Sequence, residues 1–210
     1  MRHGAQAPAI AARRALKSAP EQSFAKETTM PVSVRPSRES DLAAIAAIYA
    51  HHVLNSLASF ELAPPDSAEI ARRRAEILQR GLPFLVAAEG DVVLGYAYAA
   101  PYRARQAYQH TLEDSIYVDK DAIGRGVGRM LLDALLAECE RGGYRQIIAV
   151  IGDSANAGSI GLHQACGFSR VGLLPGVGYK FGRWVDSVVM QRPLGSGAAL
   201  PPERSGFATS

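Results

Sequence analysis

Short apolar runs alternate with amphipathic segments through the middle of the chain, and this alternation limits the possible folds more than any other feature. Two apolar runs at 84–89 and 92–100 are separated only by Gly90 and Asp91, which predicts a β-hairpin. Helix-like segments separate several of the later runs, which predicts β-α-β units with right-handed crossovers in a mixed α/β sheet. Strands are expected at about residues 32–35, 84–89, 92–100, 114–118, 146–151, 168–174 and 184–191, and helices at about 42–54, 67–79, 126–141 and 159–165.

Composition divides the 210 residues into one domain and two tails. Residues 1–30 are rich in Ala, Arg and Ser and form an N-terminal extension. This extension is interpreted as a disordered or mis-assigned leader, with Met30 as the true start. The alternative is an organellar transit peptide. Residues 31–194 form the predicted domain, and residues 195–210 are expected to be a flexible C-terminal tail.

The charge distribution and the cysteines narrow the choice of partners and compartment. Residues 31–194 carry 17 basic and 17 acidic side chains, so the net charge of +3 comes from the extension and nucleic-acid binding is not expected. No apolar stretch approaches the roughly 20 residues that span a bilayer, so no membrane association is expected. Cys139 and Cys166 are too few for a disulfide framework and lack zinc-ligand spacing. Reduced thiols in a cytoplasmic protein without a metal are therefore predicted.

A glycine cluster at residues 124–129 is the first chemical signal. The sequence Gly-Arg-Gly-Val-Gly-Arg lies between a predicted strand and a predicted helix, where glycines let the backbone approach a phosphate group closely. Arg129 and Met130 follow Gly128 in place of the Lys-Ser/Thr of a P-loop, and the spacing also departs from the dinucleotide fingerprint. A tight turn without a ligand is the alternative.

The surroundings of this cluster resemble the GNAT acetyltransferase superfamily. The sequence Ile-Gly-Arg-Gly-Val-Gly at 123–128 follows the strand Ser-Ile-Tyr-Val at 115–118, and Asn156 precedes a segment ending in Gly167 and Phe168. The resemblance implies a GNAT acyltransferase fold: a central, mostly antiparallel sheet flanked by helices, with a V-shaped cleft for acetyl-CoA. The cofactor-binding residues that it implies are Ile116, Tyr117, Val118, Ile123, Gly124, Arg125, Gly126, Val127, Gly128, Arg129, Asn156 and Ser159.

A narrower resemblance is to the phosphinothricin and methionine-sulfoximine N-acetyltransferases. It depends on Ser-Phe-Glu at 59–61, Tyr-Arg-Ala-Arg at 102–105, Thr-Leu-Glu-Asp-Ser-Ile-Tyr-Val at 111–118 and the segment 177–186. This resemblance implies acetyl transfer to the α-amino group of a small amino acid, and a homodimer. Two positions depart from the superfamily pattern: Ile123 replaces Arg or Gln, and His163 stands where many members have a tyrosine.

The resemblance also suggests which residues carry the chemistry. Glu113 is the candidate base that removes a proton from the amine, with a salt-bridged strand carboxylate as the alternative. His163 could protonate the departing thiolate, assist deprotonation, or be purely structural. Arg105 could bind the substrate carboxylate, and Phe60 could form a wall of the pocket. Asn156 could cap a helix as well as contact the cofactor.

Two alternative functions remain open on the sequence alone. One is an acetyltransferase for another amine, such as a protein N-terminus, a polyamine or an antibiotic. Arg105 argues against a polyamine, which would need an acidic pocket. The other is a CoA-binding module without catalysis, which the substitution at Ile123 leaves possible.

Overall fold

A computed structural model describes Met1 and residues 31–202, and shows a seven-stranded sheet with four α-helices. The predicted N-terminal extension, residues 1–30, therefore lies outside the described residues apart from Met1, as do residues 203–210. The strands are β1 (Val32–Pro36), β2 (Phe84–Glu89), β3 (Val92–Pro101), β4 (Thr111–Val118), β5 (Gln146–Gly152), β6 (Ser169–Lys180) and β7 (Arg183–Pro193), and the helices are α1 (Leu42–Asn55), α2 (Ser67–Gln79), α3 (Val127–Arg141) and α4 (Ala157–Ala165).

The sheet confirms the predicted mixed and mostly antiparallel architecture. Its strand order is β1-β2-β3-β4-β5-β7-β6, and β4 with β5 is the parallel pair among the described strands. Two strands are longer than expected. β4 begins at Thr111 because its first three residues pair with β5. β6 continues to Lys180 because its pairing with β7 resumes at Gly178, beyond an irregularity that contains Pro175.

Helices cover the sheet on both faces. On one face, α3 presents a buried apolar stripe, and its Leu131 lies so close to Gly95 of β3 that a Cβ atom there would be 3.1 Å from the leucine Cδ1. On the other face, Tyr96 stacks on Tyr117 with 5.4 Å between ring centroids, and Tyr117 meets Tyr49 of α1 edge-on at 5.0 Å. Neighbouring residues of a strand point to opposite faces, so α1 and α3 enclose the middle of the sheet between two apolar layers.

Local hydrogen bonds fix where the helices begin. The Asp66 side chain accepts from the backbone N–H of Glu69 at 2.8 Å and caps α2. Arg35 of β1 donates twice to the buried Asp41 just before α1, at 2.7 and 2.9 Å, which anchors this helix to the sheet edge.

The end of the described chain returns to the domain. Arg145 donates to the carbonyl oxygen of Pro201 at 2.8 Å, and the N–H of Gly197 donates to the carbonyl of Leu194 at 2.9 Å. Part of the predicted C-terminal tail, up to residue 202, is therefore held beside β5. Within the described chain, no helix has the length and apolar character needed to cross a bilayer.

Candidate active site

A cavity of about 750 Å³ opens in the sheet where β4 and β5 stop pairing. Their parallel register runs from Thr111 opposite Gln146 to Glu113 opposite Ile148 and then ends, although β4 continues to Val118 and β5 to Gly152. The last residues of both strands line the cavity. The two strands thus separate beyond Glu113 and Ile148, as in the V-shaped cleft that the resemblance implied.

The glycine cluster forms the turn between β4 and α3 at one end of this cavity. Gly124 and Gly126 have φ angles of +81° and +79°, in the left-handed region that favours glycine. No side chain caps α3, whose N-cap residue is Gly126, so its first backbone N–H groups are available to a ligand. A helix N-terminus of this kind favours phosphate oxygens.

The side chains of this turn leave few hydrogen-bond donors free for a ligand. Ile123 lines the cavity and is 68% exposed, so an apolar side chain occupies the position where the superfamily pattern has Arg or Gln. Arg125 does not line the cavity and forms a 2.6 Å ion pair with Glu89. Arg129 lines it, but its guanidinium already contacts Asp133 at 2.6 Å and the carbonyl of Ala165 at 3.0 Å. The backbone, more than these arginines, offers free donors here.

Most of the other predicted cofactor residues lie around the same cavity. Ile116, Tyr117 and Val118 of β4 line one wall, and Asn156 and Ser159 of α4 line the opposite side. Oδ1 of Asn156 accepts from the backbone N–H of Ser159 at 3.1 Å, so Asn156 caps α4 as well as facing the cavity.

Glu113 lies where the two strands separate, half-buried and lining the cavity. Its carboxylate forms no salt bridge with any described residue, which removes the support for the alternative of a salt-bridged strand carboxylate. Burial raises the pKa of Glu113 above its ordinary value, and the neighbouring charge of Asp114 raises it further, while Arg103 lowers it. A carboxylate with a raised pKa is suited to accept a proton near neutral pH.

His163 lies on α4 with both ring nitrogens engaged. Nδ1 is 2.7 Å from the carbonyl oxygen of Ser159, and Nε2 is 3.0 Å from Oδ2 of Asp114. Both side chains of this buried pair are only 2% exposed. Burial alone would lower the pKa of His163, but the hydrogen bond and the charge of Asp114 outweigh it, and the pKa is raised. The ring thus reaches the cavity but offers no free nitrogen.

Phe60 forms part of the cavity wall from a segment that crosses the ends of β5 and β6. Glycines make this approach possible: a Cβ atom on Gly178 would lie 2.3 Å from the Phe60 ring, and one on Gly152 would lie 2.1 Å from the carbonyl oxygen of Leu57. The buried Lys180 holds the segment down by donating to the carbonyls of Ser56 and Ser59.

The basic residues of the loop 102–110 differ from expectation. Arg105 is exposed and does not line the cavity. Arg103 stacks over the ring of Tyr102, with its Cζ 5.1 Å from the centroid, and its charge is felt by Glu113. The sequence analysis assigned no site role to Arg103, Asp114 or Lys180. Of the three, Asp114 was the easiest to find from the sequence, because it directly follows Glu113.

Metal binding finds no support in the side chains. Among the described residues, no group of three or more His, Cys, Asp or Glu side chains could hold a metal ion. Cys139 and Cys166 are both buried and free.

Comparisons with known proteins agree with this geometry. The model of the acetyltransferase (GNAT) family matches residues 46–168, more than half of the chain. The chain is 52% identical to phosphinothricin N-acetyltransferase of Alcaligenes faecalis, over 93% of this chain and 100% of that protein. It is 39% identical to an L-methionine sulfoximine/L-methionine sulfone acetyltransferase of Pseudomonas aeruginosa, over 82% of this chain and 100% of that one. A crystal structure of a GNAT phosphinothricin acetyltransferase from Sinorhizobium meliloti in complex with AcCoA superposes with a TM-score of 0.81, at 44% identity, covering 84% of this chain and 96% of that chain.

Proposed function

The chain belongs to the GNAT acetyltransferase family and is an N-acetyltransferase, and on this premise we propose that its acceptor is the α-amino group of a small amino acid. Methionine sulfoximine, methionine sulfone and phosphinothricin are the acceptors to test, because they are named in the relatives. The observation that carries the proposal is one cavity that joins the uncapped N-terminus of α3 to the unpaired carboxylate of Glu113. One end suits a phosphate-bearing donor and the other suits an amine.

Acetyl-CoA is the proposed donor and fits the cavity by its chemistry. Its pyrophosphate would accept from the N–H groups at the glycine turn, where no side chain competes for them. Its amide-containing arm would lie along the part of β4 that has left β5, where backbone groups face the gap. The thioester would then reach the region of Glu113, at the closed end of the V.

Glu113 is the proposed base. The ammonium of the acceptor loses a proton to a Glu113 oxygen, directly or through one water, and the freed nitrogen attacks the thioester carbonyl carbon. A backbone N–H of residues 116–118 donates to the oxyanion that forms. The carbon–sulfur bond then breaks, and His163 is the proposed acid for the departing thiolate. Because both ring nitrogens are engaged in the structure, the hydrogen bond between Nε2 and Asp114 must break before this proton passes to sulfur. The proton on Glu113 returns to the pair through solvent.

Recognition of the acceptor is proposed to involve Phe60 and the loop 102–110. Phe60 would contact the apolar part of the amino-acid side chain, as a wall of the cavity. Arg105, with Arg103 two residues before it, would attract the carboxylate of the substrate, because an arginine fork matches a carboxylate in two hydrogen bonds. Neither arginine lines the cavity in the structure, and the charge of Arg103 lowers the pKa of Glu113.

The experiment is acetyl-CoA turnover followed by thiol release, with the three amino acids beside spermidine and a peptide amine. We expect turnover with the amino acids and little with the other two amines. Glu113→Gln should reduce kcat by about 10²–10⁴-fold, while Glu138→Gln, at an exposed ion pair with Arg141 in the last turn of α3, should leave it unchanged. CoA binding without turnover on any of the five amines would favour a non-catalytic module.

A homodimer is also proposed, through the outer strands. β6 is an edge strand, and the β6–β7 hairpin carries several large exposed apolar side chains, including Val177 at 55%, Tyr179 at 58% and Trp184 at 67% exposed. A patch of this kind is typical of protein interfaces. Light scattering should give twice the chain mass. Trp184→Glu should produce monomer. Val92→Glu, at an exposed valine that begins β3 and lies outside the β6–β7 hairpin, should not.

A cytoplasmic location is proposed from the thiols. Burial raises the pKa of Cys139 to about 12 and that of Cys166 to about 11, so both are thiols that a reducing compartment would preserve. Cell fractionation of the native host tests this.

A further inference from the structure

The buried pair of Asp114 and His163 lies beside the proposed base, and its proton count follows from its geometry. A carbonyl oxygen can only accept, so the 2.7 Å contact with Ser159 requires a hydrogen on Nδ1 of His163. At 3.0 Å, Nε2 and Oδ2 of Asp114 must have a second hydrogen between them, since two lone pairs would repel. The pair thus holds one shared proton and is neutral as a unit.

The pair leaves one buried polar atom without a partner. Oδ1 of Asp114 is buried and has no hydrogen-bond partner among the described residues, so charge on this oxygen is not offset locally. Asp114 adjoins Glu113 along β4, and both line the cavity where β4 and β5 separate. The imidazole that pairs with Asp114 belongs to α4. Glu113 therefore has a carboxylate as its neighbour in the strand, and the compensating cation comes from another element.

We propose that Asp114 is a positioning residue for the reaction, whose carboxylate, offset by the proton shared with His163, sets how readily Glu113 takes up the proton of the amine. Glu113 becomes a stronger base because Asp114 is next to it. His163 limits this effect, since a carboxylate without a counter-ion in the same place would favour the protonated form of Glu113 more strongly. The inference rests on the proposed function, in which Glu113 is the base.

Other charged and titratable groups near the two carboxyls are few. Arg103, from the loop before β4, acts on Glu113 in the opposite direction to Asp114. Tyr98 of β3 is close enough for Glu113 to act on its hydroxyl, and Cys139 of α3 is similarly affected by Asp114. Burial keeps both of these groups neutral at physiological pH, because the pKa of each is raised. Asp114, paired with His163, and Arg103 therefore act on the pKa of Glu113 in opposite directions.

The test is a titration of the Glu113 carboxyl by NMR in protein labelled with ¹³C in the glutamate side chains, with the signal assigned by its loss in Glu113→Gln. Asp114→Asn should lower the titration midpoint of Glu113 by about one pH unit. His163→Asn should raise it, because Asp114 is left without its counter-ion. The double variant should match Asp114→Asn. Asp91→Asn, in the exposed β2–β3 turn, is the matched control and should change nothing.

The inference is overturned if Asp114→Asn leaves the midpoint in place, if the two single variants move it in the same direction, or if His163→Asn has the same effect with and without Asp114. If Asp114→Asn does not fold, the comparison of His163→Asn with the wild type decides alone: an upward shift supports the inference, and no shift or a downward one overturns it. The titration needs no turnover. Retained activity in Glu113→Gln would refute the proposed base separately.

Discussion

Replacing Lys180 by methionine should loosen the wall of the cavity without touching its chemistry. Lys180 is 3% exposed, and its ammonium donates to the carbonyls of Ser59 at 2.7 Å and Ser56 at 3.0 Å. Burial lowers the pKa of Lys180, yet these contacts hold the segment that carries Phe60 against β6. Methionine has a similar shape and no hydrogen to donate, so both carbonyls lose their partner.

The expected loss can be estimated from the burial of the two contacts. The hydrogen bond to Ser59 is buried, and an unsatisfied carbonyl there costs about 1–3 kcal/mol. The contact with Ser56 is part-buried, so water can replace the ammonium at a cost below about 1 kcal/mol. Part of this loss is offset, because methionine carries no ammonium that must be stripped of water when the protein folds. We expect the free energy of unfolding to fall by about 2–3 kcal/mol, which lowers Tm by about 4–12 °C in a domain of this size.

The assays are denaturant unfolding and steady-state kinetics with both substrates varied. KM for the amino acid should rise, because Phe60 is no longer fixed, while KM for acetyl-CoA should stay the same, because the glycine turn lies elsewhere. Lys120→Met is the matched control, since Lys120 is more than half exposed and pairs with its neighbour Asp121. Unfolding free energies within 0.5 kcal/mol of the wild type and an unchanged KM for the amino acid would refute the argument.

Three further predictions concern the donor site, acid stability and the thiols. Ile123→Arg should lower KM for acetyl-CoA by roughly twofold to fivefold, because it places a cation beside the expected pyrophosphate at about 0.5–1 kcal/mol. An unchanged or higher KM in the thiol-release assay would argue against that placement. The hydrogen bond from Arg35 lowers the pKa of Asp41 below its value of 3.8 in the unfolded chain, so this stabilisation is complete above about pH 4 and is lost as the pH falls through the lower, folded value. Asp41→Asn should cost about 2–3 kcal/mol at pH 7 and reduce the acid sensitivity measured by urea unfolding across pH 2–5. Cys139 and Cys166 should not react with Ellman's reagent until the protein unfolds, and two thiols per chain that react in the native state would contradict their burial.

Sequence reasoning located the elements well because hydrophobic periodicity and turn residues are local properties. The Gly90-Asp91 hairpin and the glycine turn before α3 both appear where the residue types demand them. The extra length of β4 and β6 was missed, because it comes from pairing with strands distant in sequence. Glu113 and Asp114 interrupt the apolar pattern of β4, and Pro175 interrupts that of β6. Pattern analysis therefore detects only part of each strand.

The site was predictable where a backbone motif defines it and less so where side chains meet across elements. The turn at 124–128 follows from its glycines, and Glu113 from its place in β4. The contact between Asp114 and His163 spans 49 residues, and the bonds from Lys180 to the Phe60 segment span more than 120. No periodicity encodes such pairs. Strand alternation gives Glu113 and Asp114 opposite directions, yet both line the cavity, because a gap in the sheet is open to residues of both faces.

The division of the sheet between β4 and β5 has a consequence for the protein inside a cell. Only three residues of each strand pair, and beyond them the two halves of the sheet face each other without a ladder. A donor molecule that fills this gap acts as a missing strand and adds its binding free energy to the folded state alone. Acetyl-CoA bound in this gap would therefore raise the free energy of unfolding of the whole domain, and with it the resistance of the chain to proteases.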